Sequence, residues 1–494
     1  MSALTSSNVT SGFIDLATFD EIEKYMYGGP DATAYFVRET RKSTWFTQVP
    51  VVLTKASGTP AFNQDWAVSI SRAGDYLLQS WLRLTTPAVT LSSAAGVGNK
   101  TIRWTRNFMY SIIKECNVTF NDLVAARFDN YHLDFWAAFT VPASKRNGYD
   151  NMVGNVSDLI DPTPAGVAIP AYTLNLPLPF FYGRDSGVAL PTAALPYNEM
   201  RINFSFRDWT ELLILSTADN DSNSVQLSSD ASQLSGGSPV LGNCQVWANY
   251  AIVSNDERKR MACAPRDILV EQVQTAPRST FTPASNQQQS FDIRFSHAIK
   301  VLFFAVRNTT CKSEWSNYAT SSPTVSTSGD SPVISFYPSA SADPILQTSL
   351  IYENTNRLSQ MGSDYFSLVN PWYHAPTVPD FIGFHSYSYS LDFMSLDPMG
   401  STNYGKLTNV SIVPEASASA VTAAGGSGGE GSGYSGVQTF EFVVTCINNN
   451  IIRVSGGKAP SVPQTVGCYK RCDISFMEKQ CNISPFQSTM IECM

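Results

Sequence analysis

The chain has 494 residues and a formal net charge of −8, and only 15% of its residues are charged. This length predicts two domains of roughly 200 residues each, and a charged fraction below the usual ~25% leaves a surface rich in Ser, Thr and Asn that suits contact with other protein. The longest basic run is residues 258–260 and no apolar run has the length of a membrane span, which argues against direct nucleic-acid packaging and against a transmembrane helix.

Residues 1–26 are predicted to form an arm rather than a domain. Thr18 and Glu21 have capping-box spacing, apolar residues follow at helical intervals up to Met26, and residues 28–30 are a Gly-Gly-Pro stop signal. We therefore expect one short helix here. The first residues show no signal-peptide core and no myristoylation glycine, so we expect synthesis in the cytosol.

Residues 27–262 read as a first β domain. Residues 75–84 and 201–207 alternate apolar and polar side chains as strands do. Residues 127–139 change to a period of three to four, which predicts an amphipathic helix against the first pair of sheets. Four prolines between residues 176 and 196 predict an edge or loop segment, because a central strand cannot accommodate proline.

Residues 263–456 read as a second β domain that begins near the charged segment 256–266. Residues 291–303 are predicted to form one long strand whose apolar residues share a face: Phe291, Ile293, Phe295, Ile299, Val301 and Phe303. A second strand is predicted over residues 384–393, with His385, Tyr387, Tyr389, Leu391 and Phe393 on one side and the serines Ser386, Ser388 and Ser390 on the other.

The last strands of the two domains and the stretches between them follow the same order along the sequence. A strand over residues 201–207 leads through a polar stretch to a strand over residues 246–252, and a strand over residues 409–413 leads through a Gly/Ser stretch to one over residues 439–444. The intervening segments, residues 216–242 and 415–435, are predicted to be mobile surface loops. Many strands, frequent turn residues and few helices indicate an all-β chain of two antiparallel sandwiches or jelly rolls.

The search for catalytic chemistry finds no candidate catalytic, cofactor-binding or metal-binding residues. The four histidines, at positions 132, 297, 374 and 385, are far apart, and no nucleophile-elbow, phosphate-loop or dinucleotide motif is present. His297 and His385 fall on the apolar faces of predicted strands, which is typical of hydrogen-bonded core or interface histidines. We expect a protein that is not an enzyme and needs no cofactor.

Four of the nine cysteines crowd into the C-terminal tail, residues 457–494. These are Cys468, Cys472, Cys481 and Cys493. A zinc knot does not fit their spacing well, a disulfide within the tail or between subunits is opposed by a reducing cytosol, and free thiols in a flexible tail are the simplest interpretation.

Two other functions compete with a structural role. A jelly roll can be a carbohydrate- or receptor-binding protein, which needs exposed aromatic side chains; Trp315, Tyr318, Trp372 and Tyr373 are candidates, although packing in a core or interface is the more frequent role of such residues. A cupin-like or glycosidase enzyme is the third option, and the missing histidine pair and acid pair weigh against it.

Five segments together resemble one family. They are SGFIDLAT at residues 11–18, LPLPFFYGRDSG at 176–187, LPYNE at 195–199, VEQVQ at 270–274 and GSTNYG at 400–405. In these segments the chain resembles the major capsid proteins of iridoviruses and, more broadly, the double jelly-roll capsid proteins of large cytoplasmic DNA viruses. The resemblance runs from about residue 11 to about residue 456 and leaves the tail uncovered.

The resemblance implies two tandem eight-stranded antiparallel jelly rolls and a homotrimer that forms a pseudo-hexagonal tile of an icosahedral shell. It also implies contacts with neighbouring capsomers, and minor capsid proteins and an internal viral membrane beneath the shell. Assembly in the host cytoplasm, residence in the virion and no direct contact with nucleic acid follow. We expect the loops 216–242 and 415–435 to face outward and the arm to lie at the opposite end.

Overall fold

The computed structural model describes residues 2–93, 100–195, 198–217, 231–263, 266–285, 287–320, 325–326, 333–334, 342–426, 437–456 and 472–476. The chain divides into two compact units, Met1–Trp45 and Phe46–Met494. No helix in the described ranges combines the length and apolar character needed to cross a bilayer.

The first unit holds two helices, α1 (Ser2–Ala17) and α2 (Glu21–Tyr27). The predicted helix is α2, but its capping box uses Asp20 and Glu23 rather than Thr18 and Glu21. The Thr18 hydroxyl instead donates to the Asp15 carbonyl at 2.6 Å at the end of α1, a helix that the sequence pattern did not predict. The unit also continues to Trp45, past the predicted end of the arm at residue 26.

The described residues of the first part of the second unit form fourteen strands and five helices. The strands are β1 (Phe46–Val52), β2 (Thr54–Gly58), β3 (Asp65–Ser69), β4 (Tyr76–Thr85), β5 (Val89–Thr90), β6 (Lys100–Trp104), β7 (Ile113–Phe120), β8 (Leu123–Phe128), β9 (Thr163–Pro164), β10 (Ala168–Ile169), β11 (Thr173–Pro177), β12 (Met200–Phe206), β13 (Leu213–Thr217) and β14 (Gly242–Val253). The helices are α3 (Phe108–Ser111), α4 (Asn130–Thr140), α5 (Ala143–Val153), α6 (Ser157–Ile160) and α7 (Asn255–Cys263).

The second part contains thirteen strands and two helices in the described ranges. The strands are β15 (Arg266–Thr275), β16 (Ser279–Phe281), β17 (Phe291–Asp292), β18 (Ala298–Asn308), β19 (Val325–Ser326), β20 (Val333–Ile334), β21 (Ile345–Tyr352), β22 (Thr355–Gly362), β23 (His385–Ser388), β24 (Thr402–Asn403), β25 (Val410–Ala416), β26 (Phe440–Gly456) and β27 (Cys472–Phe476). The helices are α8 (Asn370–His374), which continues a π-helical turn at Tyr365–Val369, and α9 (Ala418–Ala424).

Both parts have the same sheet topology. The first has sheets ordered β1-β14-β4-β11 and β3-β12-β7-β8, with β2 added beside β3; the second has β15-β26-β18-β23 and β17-β25-β21-β22. Taken in chain order, corresponding strands hold corresponding places, and these strands pair antiparallel. Two four-stranded sheets in this order form an eight-stranded jelly roll, so the predicted pair of jelly rolls is confirmed.

The repeated order in the sequence is the last two strands of each jelly roll. β12 and β25 each lie in one sheet, and β14 and β26 each lie at the second position of the other. Along β12, buried and partly buried residues alternate without a break. The predicted strands over residues 201–207 and 246–252 are therefore confirmed. The predicted edge or loop segment over residues 176–196 is confirmed in its described part: Pro177 ends the edge strand β11, and Pro179 and Pro191 follow it.

The predicted long strand over residues 291–303 is wrong. β17 pairs with β25 in one sheet and β18 pairs with β26 in the other, and between them His297 adopts a left-handed backbone with φ 64°. The register of β18 shifts between Ile299 and Val301. This bulge turns Val301 and Phe303 away from the second core, whereas Ile299 stays in it. His297 is a partly buried turn residue, not a residue on a strand face.

The strand predicted over residues 384–393 is shorter than expected, because β23 ends at Ser388. Leu391 is 73% exposed and Phe393 packs elsewhere, so the five residues do not share a face. The serines predicted on the other side, Ser386, Ser388 and Ser390, are buried as well. The Asn370 side-chain oxygen accepts hydrogen bonds from the Ser388 backbone and the Ser386 hydroxyl.

The two predicted loops are described only in part. Residues 218–230 and 427–436 lie outside the described residues. In the described remainder, Leu234 and Leu241 are buried in the first core. α9 buries Ala420 and Ala423 in the second. The prediction of mobile surface loops over the full segments 216–242 and 415–435 is therefore wrong for these described parts, since apolar residues anchor them.

Candidate assembly site

The two jelly rolls meet around α4. Asp129 caps this helix, because its side-chain oxygen accepts a hydrogen bond from the His132 backbone N–H at 2.9 Å. Leu133 and Ala137 face the first core. The predicted apolar stripe, which includes Tyr131, Phe135 and Phe139, packs instead on the second jelly roll. The helix is confirmed, but the prediction that its apolar stripe lies against the first pair of sheets is wrong, because the helix packs between the two jelly rolls.

A cluster of aromatic rings fills this contact. We call it the junction cluster; its buried members are Tyr131, Phe135, Ala138, Phe139, Val301, Phe303, Ala305, Tyr318, Phe384, Phe393, Val443 and Ile447. Phe303 on β18 stacks against both Phe135 and Phe139, with ring centroids 5.7 and 5.2 Å apart. Gly383, with φ +95°, lets the chain pass the Tyr318 carbonyl, because a Cβ there would lie 2.1 Å from that oxygen.

A buried ion-pair network also links the jelly rolls. Glu271 on β15 lies 2.7 Å from Arg184 of the first jelly roll and 2.6 Å from Lys300 on β18. The side chains of Lys300 and Glu271 are only 1% and 7% exposed. Lys300 is the extra residue of the β18 bulge, which aims it at this network. Because removing one partner would leave an uncompensated buried charge, the network fixes the alignment of the two jelly rolls.

Two further contacts cross the junction. Arg103 lies 2.5 Å from Glu314, and both side chains are 5% exposed. Trp315 is held between two guanidinium groups, with the Arg207 carbon 3.6 Å and the Arg307 carbon 4.1 Å from its ring centroid. Burial lowers the pKa of Arg207 to about 10, which leaves it charged at neutral pH.

Two titratable side chains on α4 have strongly shifted pKa values. Burial lowers the pKa of His132 to about 3, and the positive charge of Arg184 adds to this effect. Burial raises the pKa of Asp134 to about 7, although hydrogen bonds from Tyr318 at 2.8 Å and Ser316 at 2.9 Å favour its charged form. His132 is therefore neutral in the folded chain, and Asp134 titrates near neutral pH.

The histidines singled out in the sequence do not form a common site. His385 is a hydrogen-bonded core histidine, as predicted: its Nε2 lies 2.7 Å from the Ser363 hydroxyl and 3.1 Å from Asp343. Among the described residues, no cluster of three or more His, Cys, Asp or Glu side chains could hold a metal.

The tail cysteines are described only at Cys472, the first residue of β27. This strand pairs antiparallel with the last residues of β26, from Gly456 back to Ile452. Cys468, Cys481 and Cys493 lie outside the described residues. The disulfide remains a prediction. A flexible tail is wrong for residues 472–476, which form an added strand of the second jelly roll.

The four candidate glycan-binding aromatics have different environments. Tyr318 is buried in the junction cluster and Trp315 is held between arginines, whereas Trp372 and Tyr373 are each 73% exposed. A groove of about 530 Å³ crosses the outer face of β3, β12 and β7. The aromatic residues along this groove, Trp66 and Phe204, are only 5% and 1% exposed, so they offer no stacking platform for a sugar.

The residues that build the junction were missed by sequence reasoning, but they had a signal. Glu271 interrupts the apolar strand ILVEQV at residues 268–273, and Lys300 interrupts the apolar strand AIKVLFF at residues 298–304. A lone charge inside such a strand points to a buried partner. The junction has a mechanical role. Its apolar packing, cation–π contacts and buried ion pairs hold the two jelly rolls together in one compact unit.

Solved structures with this architecture are viral capsid proteins. A chain of a quasi-atomic model of the PBCV-1 virus capsid matches with a TM-score of 0.66 at 18% identity, covering 85% of this chain and 97% of that one. The Faustovirus major capsid protein matches with a TM-score of 0.61 at 10% identity, covering 88% and 94%. The fold therefore places the chain in the class of double jelly-roll proteins.

Sequence comparisons narrow this class. Residues 34–253 match the family described as major capsid protein N-terminus, and residues 257–460 match the large eukaryotic DNA virus major capsid protein family. The major capsid protein of Tipula iridescent virus is 66% identical over 467 residues, covering 93% of this chain and 98% of that protein, and the one from Lymphocystis disease virus 1 is 51% identical over 458 residues, covering 92% and 98%. The chain belongs to the iridovirus major capsid protein family, and its place is the capsid of the virion.

Proposed function

We propose that three copies of this chain form a homotrimer whose six jelly rolls make a pseudo-hexagonal tile of an icosahedral outer shell. The observation that carries this proposal is the shared strand order of the two jelly rolls, locked together by the junction cluster and the Glu271 network. Two equivalent blocks per chain let a threefold ring present six similar sides to its neighbours.

Assembly then has two levels of contact. Obligate interfaces are larger and more apolar than transient ones, so the trimer seam should be the tighter of the two. Contacts between neighbouring capsomers can each be weak, because a closed shell engages many of them at once. Weak contacts also allow a misplaced tile to leave before the shell closes.

The test is the state of the purified protein. Native mass spectrometry should give three times the chain mass of 54.0 kDa, and negative-stain electron microscopy should show a particle with a hexagonal outline. A protein that stays monomeric at millimolar concentration would overturn the proposal. A crosslinked trimer with a round outline would preserve the oligomer but contradict the tile.

The arm is proposed to face the inside of the shell, towards an internal viral membrane and minor capsid proteins. Its apolar side chains are open to solvent: Phe13, Phe19, Ile22 and Met26 are each at least half exposed. Deleting residues 1–26 should leave trimers intact and impair shell formation. Normal shells from the truncated chain would refute this role.

The two loops at residues 216–242 and 415–435 are proposed to project from the outer end of each jelly roll. Each connects corresponding strands, β12 or β25 in one sheet with β14 or β26 in the other. Limited proteolysis of intact virions should cut in these loops first. Cleavage restricted to buried strands would contradict the orientation.

We further propose that the protein has no catalytic activity, no cofactor and no direct contact with nucleic acid, and that shells assemble in the host cytoplasm. Glycan binding by the trimer would instead favour the carbohydrate- or receptor-binding alternative. A non-reducing gel of assembled material that shows monomer alone would exclude a disulfide between subunits through Cys468, Cys472, Cys481 or Cys493.

A further inference from the structure

The connection that carries α4 in the first jelly roll has a counterpart in the second. α4 follows β8 and precedes β11; the helical segment 365–374 follows β22 and precedes β23, the corresponding strands. Within the chain, α4 covers the outer face of the sheet β15-β26-β18-β23. Among the described residues, the segment 365–374 keeps an outward side that no sheet covers, since Trp372 and Tyr373 are largely exposed.

This segment carries an apolar stripe that faces solvent. Trp372 and Tyr373 are 73% exposed, and Leu368 and Val369, one turn earlier, are 53% and 43% exposed. The pairs 368/372 and 369/373 are spaced four apart, so they lie on one side of the helix. On α4 the same four-residue spacing places Tyr131, Phe135 and Phe139 in the junction cluster.

The matching sheet of the first jelly roll has an uncovered aromatic pair on its outer face. Trp81 on β4 and Trp247 on β14 are opposite each other in register and stack with centroids 6.2 Å apart. Both are only partly buried, and neither belongs to the first core. Trp81 and Phe303 lie on corresponding strands, because β4 and β18 each lie between corresponding neighbours in their sheets.

We propose that the seam of the homotrimer forms where the stripe Leu368, Val369, Trp372 and Tyr373 of one copy covers Trp81 and Trp247 of the next copy. In this contact the stripe of one copy covers the tryptophan pair of the next copy, as α4 covers Phe303 within one copy. This inference rests on the trimer proposed above and names the surfaces that would build it.

The two surfaces fit a heterologous contact. They lie on different jelly rolls, so each copy offers a stripe to one neighbour and accepts a stripe from the other, and such contacts close into a ring. Both surfaces are aromatic, as the centres of protein interfaces are.

The exposed area is adequate for a seam. An aromatic side chain buries about 150–250 Å², so Trp372 and Tyr373 at 73% exposure present on the order of 200–350 Å² before the aliphatic residues are added. This is a substantial part of the ~800 Å² per partner of a stable interface.

A first experiment weakens the stripe. Trp372→Glu combined with Tyr373→Glu should raise the concentration at which trimers half-dissociate by at least about 30-fold, measured by mass photometry, since hot-spot residues lie at the centres of interfaces. Leu346→Glu is the matched control. Leu346 is 54% exposed and lies on β21 in the other sheet of the same jelly roll, so this variant should trimerise normally.

A second experiment maps the contact without depending on stability. Benzoylphenylalanine placed at position 372 should, on irradiation of the full-length trimer, give a product of twice the chain mass. Its cross-linked peptides should contain residues 76–85 or 242–253.

The proposed seam would be wrong if the cross-links went to residues 1–45 or to any other surface. It would also be wrong if the double variant had the same half-dissociation concentration as the wild type. Neither outcome would contradict the trimer itself. A wild-type protein that never trimerises would overturn the proposed function first and the seam with it.

Discussion

The outer faces of the two corresponding sheets differ in one respect. In the second jelly roll the face around Phe303 is covered by α4 and is fully buried; in the first, Trp81 and Trp247 are only partly buried. The strand order and the antiparallel pairing of the two sheets are the same. The difference teaches that two corresponding surfaces of a duplicated fold can be buried to different degrees within one chain.

The largest effect in a comparison of the two jelly rolls is expected at the buried ion-pair network of the junction, where Glu271 contacts Arg184 and Lys300. Glu271→Leu leaves Lys300 and Arg184 without their buried carboxylate, so the free energy of unfolding should fall by about 3–5 kcal/mol in urea titrations. Glu199→Ala is the control, because Glu199 pairs with Arg201 at the surface, with side chains 56% and 34% exposed. This change should cost less than about 1 kcal/mol. Equal losses would show that the junction network does not hold the jelly rolls.

A second test compares the two faces directly. Phe303→Ala removes a ring that is 0% exposed and stacked on two others, which should destabilise the chain by about 3–4 kcal/mol at any protein concentration. Trp81→Ala should cost about 1 kcal/mol in dilute monomer and more as trimers form. Denaturant unfolding at low and high concentration measures both. A loss from Trp81→Ala that does not grow with concentration would contradict the comparison.

The pH dependence of the junction is a third test, because His132 and Asp134 act in opposite directions. The pKa of His132 is about 3 in the folded chain and near 6.5 when unfolded, so the unfolded chain binds more protons and stability is lost as pH falls from 6.5 towards 3. The pKa of Asp134 is about 7 folded and near 3.8 unfolded, so the folded chain binds more protons and stability is lost as pH rises from about 4 to 7.

Single substitutions should separate these two effects. As pH rises from 4 to 7, His132→Phe should lose stability and Asp134→Asn should gain stability, each by on the order of 3–4 kcal/mol. The wild type should change less than either. Urea midpoints at pH 4, 5.5 and 7 give the answer, and parallel curves for all three proteins would show that these groups are not buried at the junction.

The smallest expected effect concerns hydroxyl groups inside the second core. Tyr352, Tyr389 and Tyr404 form a hydrogen-bonded triad, with hydroxyl oxygens 2.6, 3.1 and 2.5 Å apart. Tyr389→Phe removes one hydroxyl and should cost about 1 kcal/mol without changing the trimer. An altered trimer from this variant would mean that the core and the seam are coupled.

Much of the fold could be predicted from patterns that repeat locally. Alternation identified β12 and β14, the three-to-four period identified α4, and the recurring order revealed the pair of jelly rolls. These signals are carried by neighbours in sequence. They report which face of a strand or helix is apolar, but not what covers that face, and so the aromatic face of α4 was assigned to the wrong jelly roll.

The junction could not be predicted for the same reason. Arg184, Glu271 and Lys300 are brought together by three different elements, and one residue of bulge in β18 decides which face Phe303 takes. A strict period of two cannot show a bulge. The predicted long strand over residues 291–303 failed at His297, because apolar residues continued across a turn.

β26 belongs to both jelly rolls at once. Its early residues Phe442 and Val444 lie in the second core, whereas Ile452 and Val454 complete the first. A cut at the sequence boundary near residue 262 would therefore strip the first jelly roll of a wall that the far end of the chain supplies. Because one continuous strand contributes to both cores, the two jelly rolls cannot rotate against each other without breaking its pairing with β15.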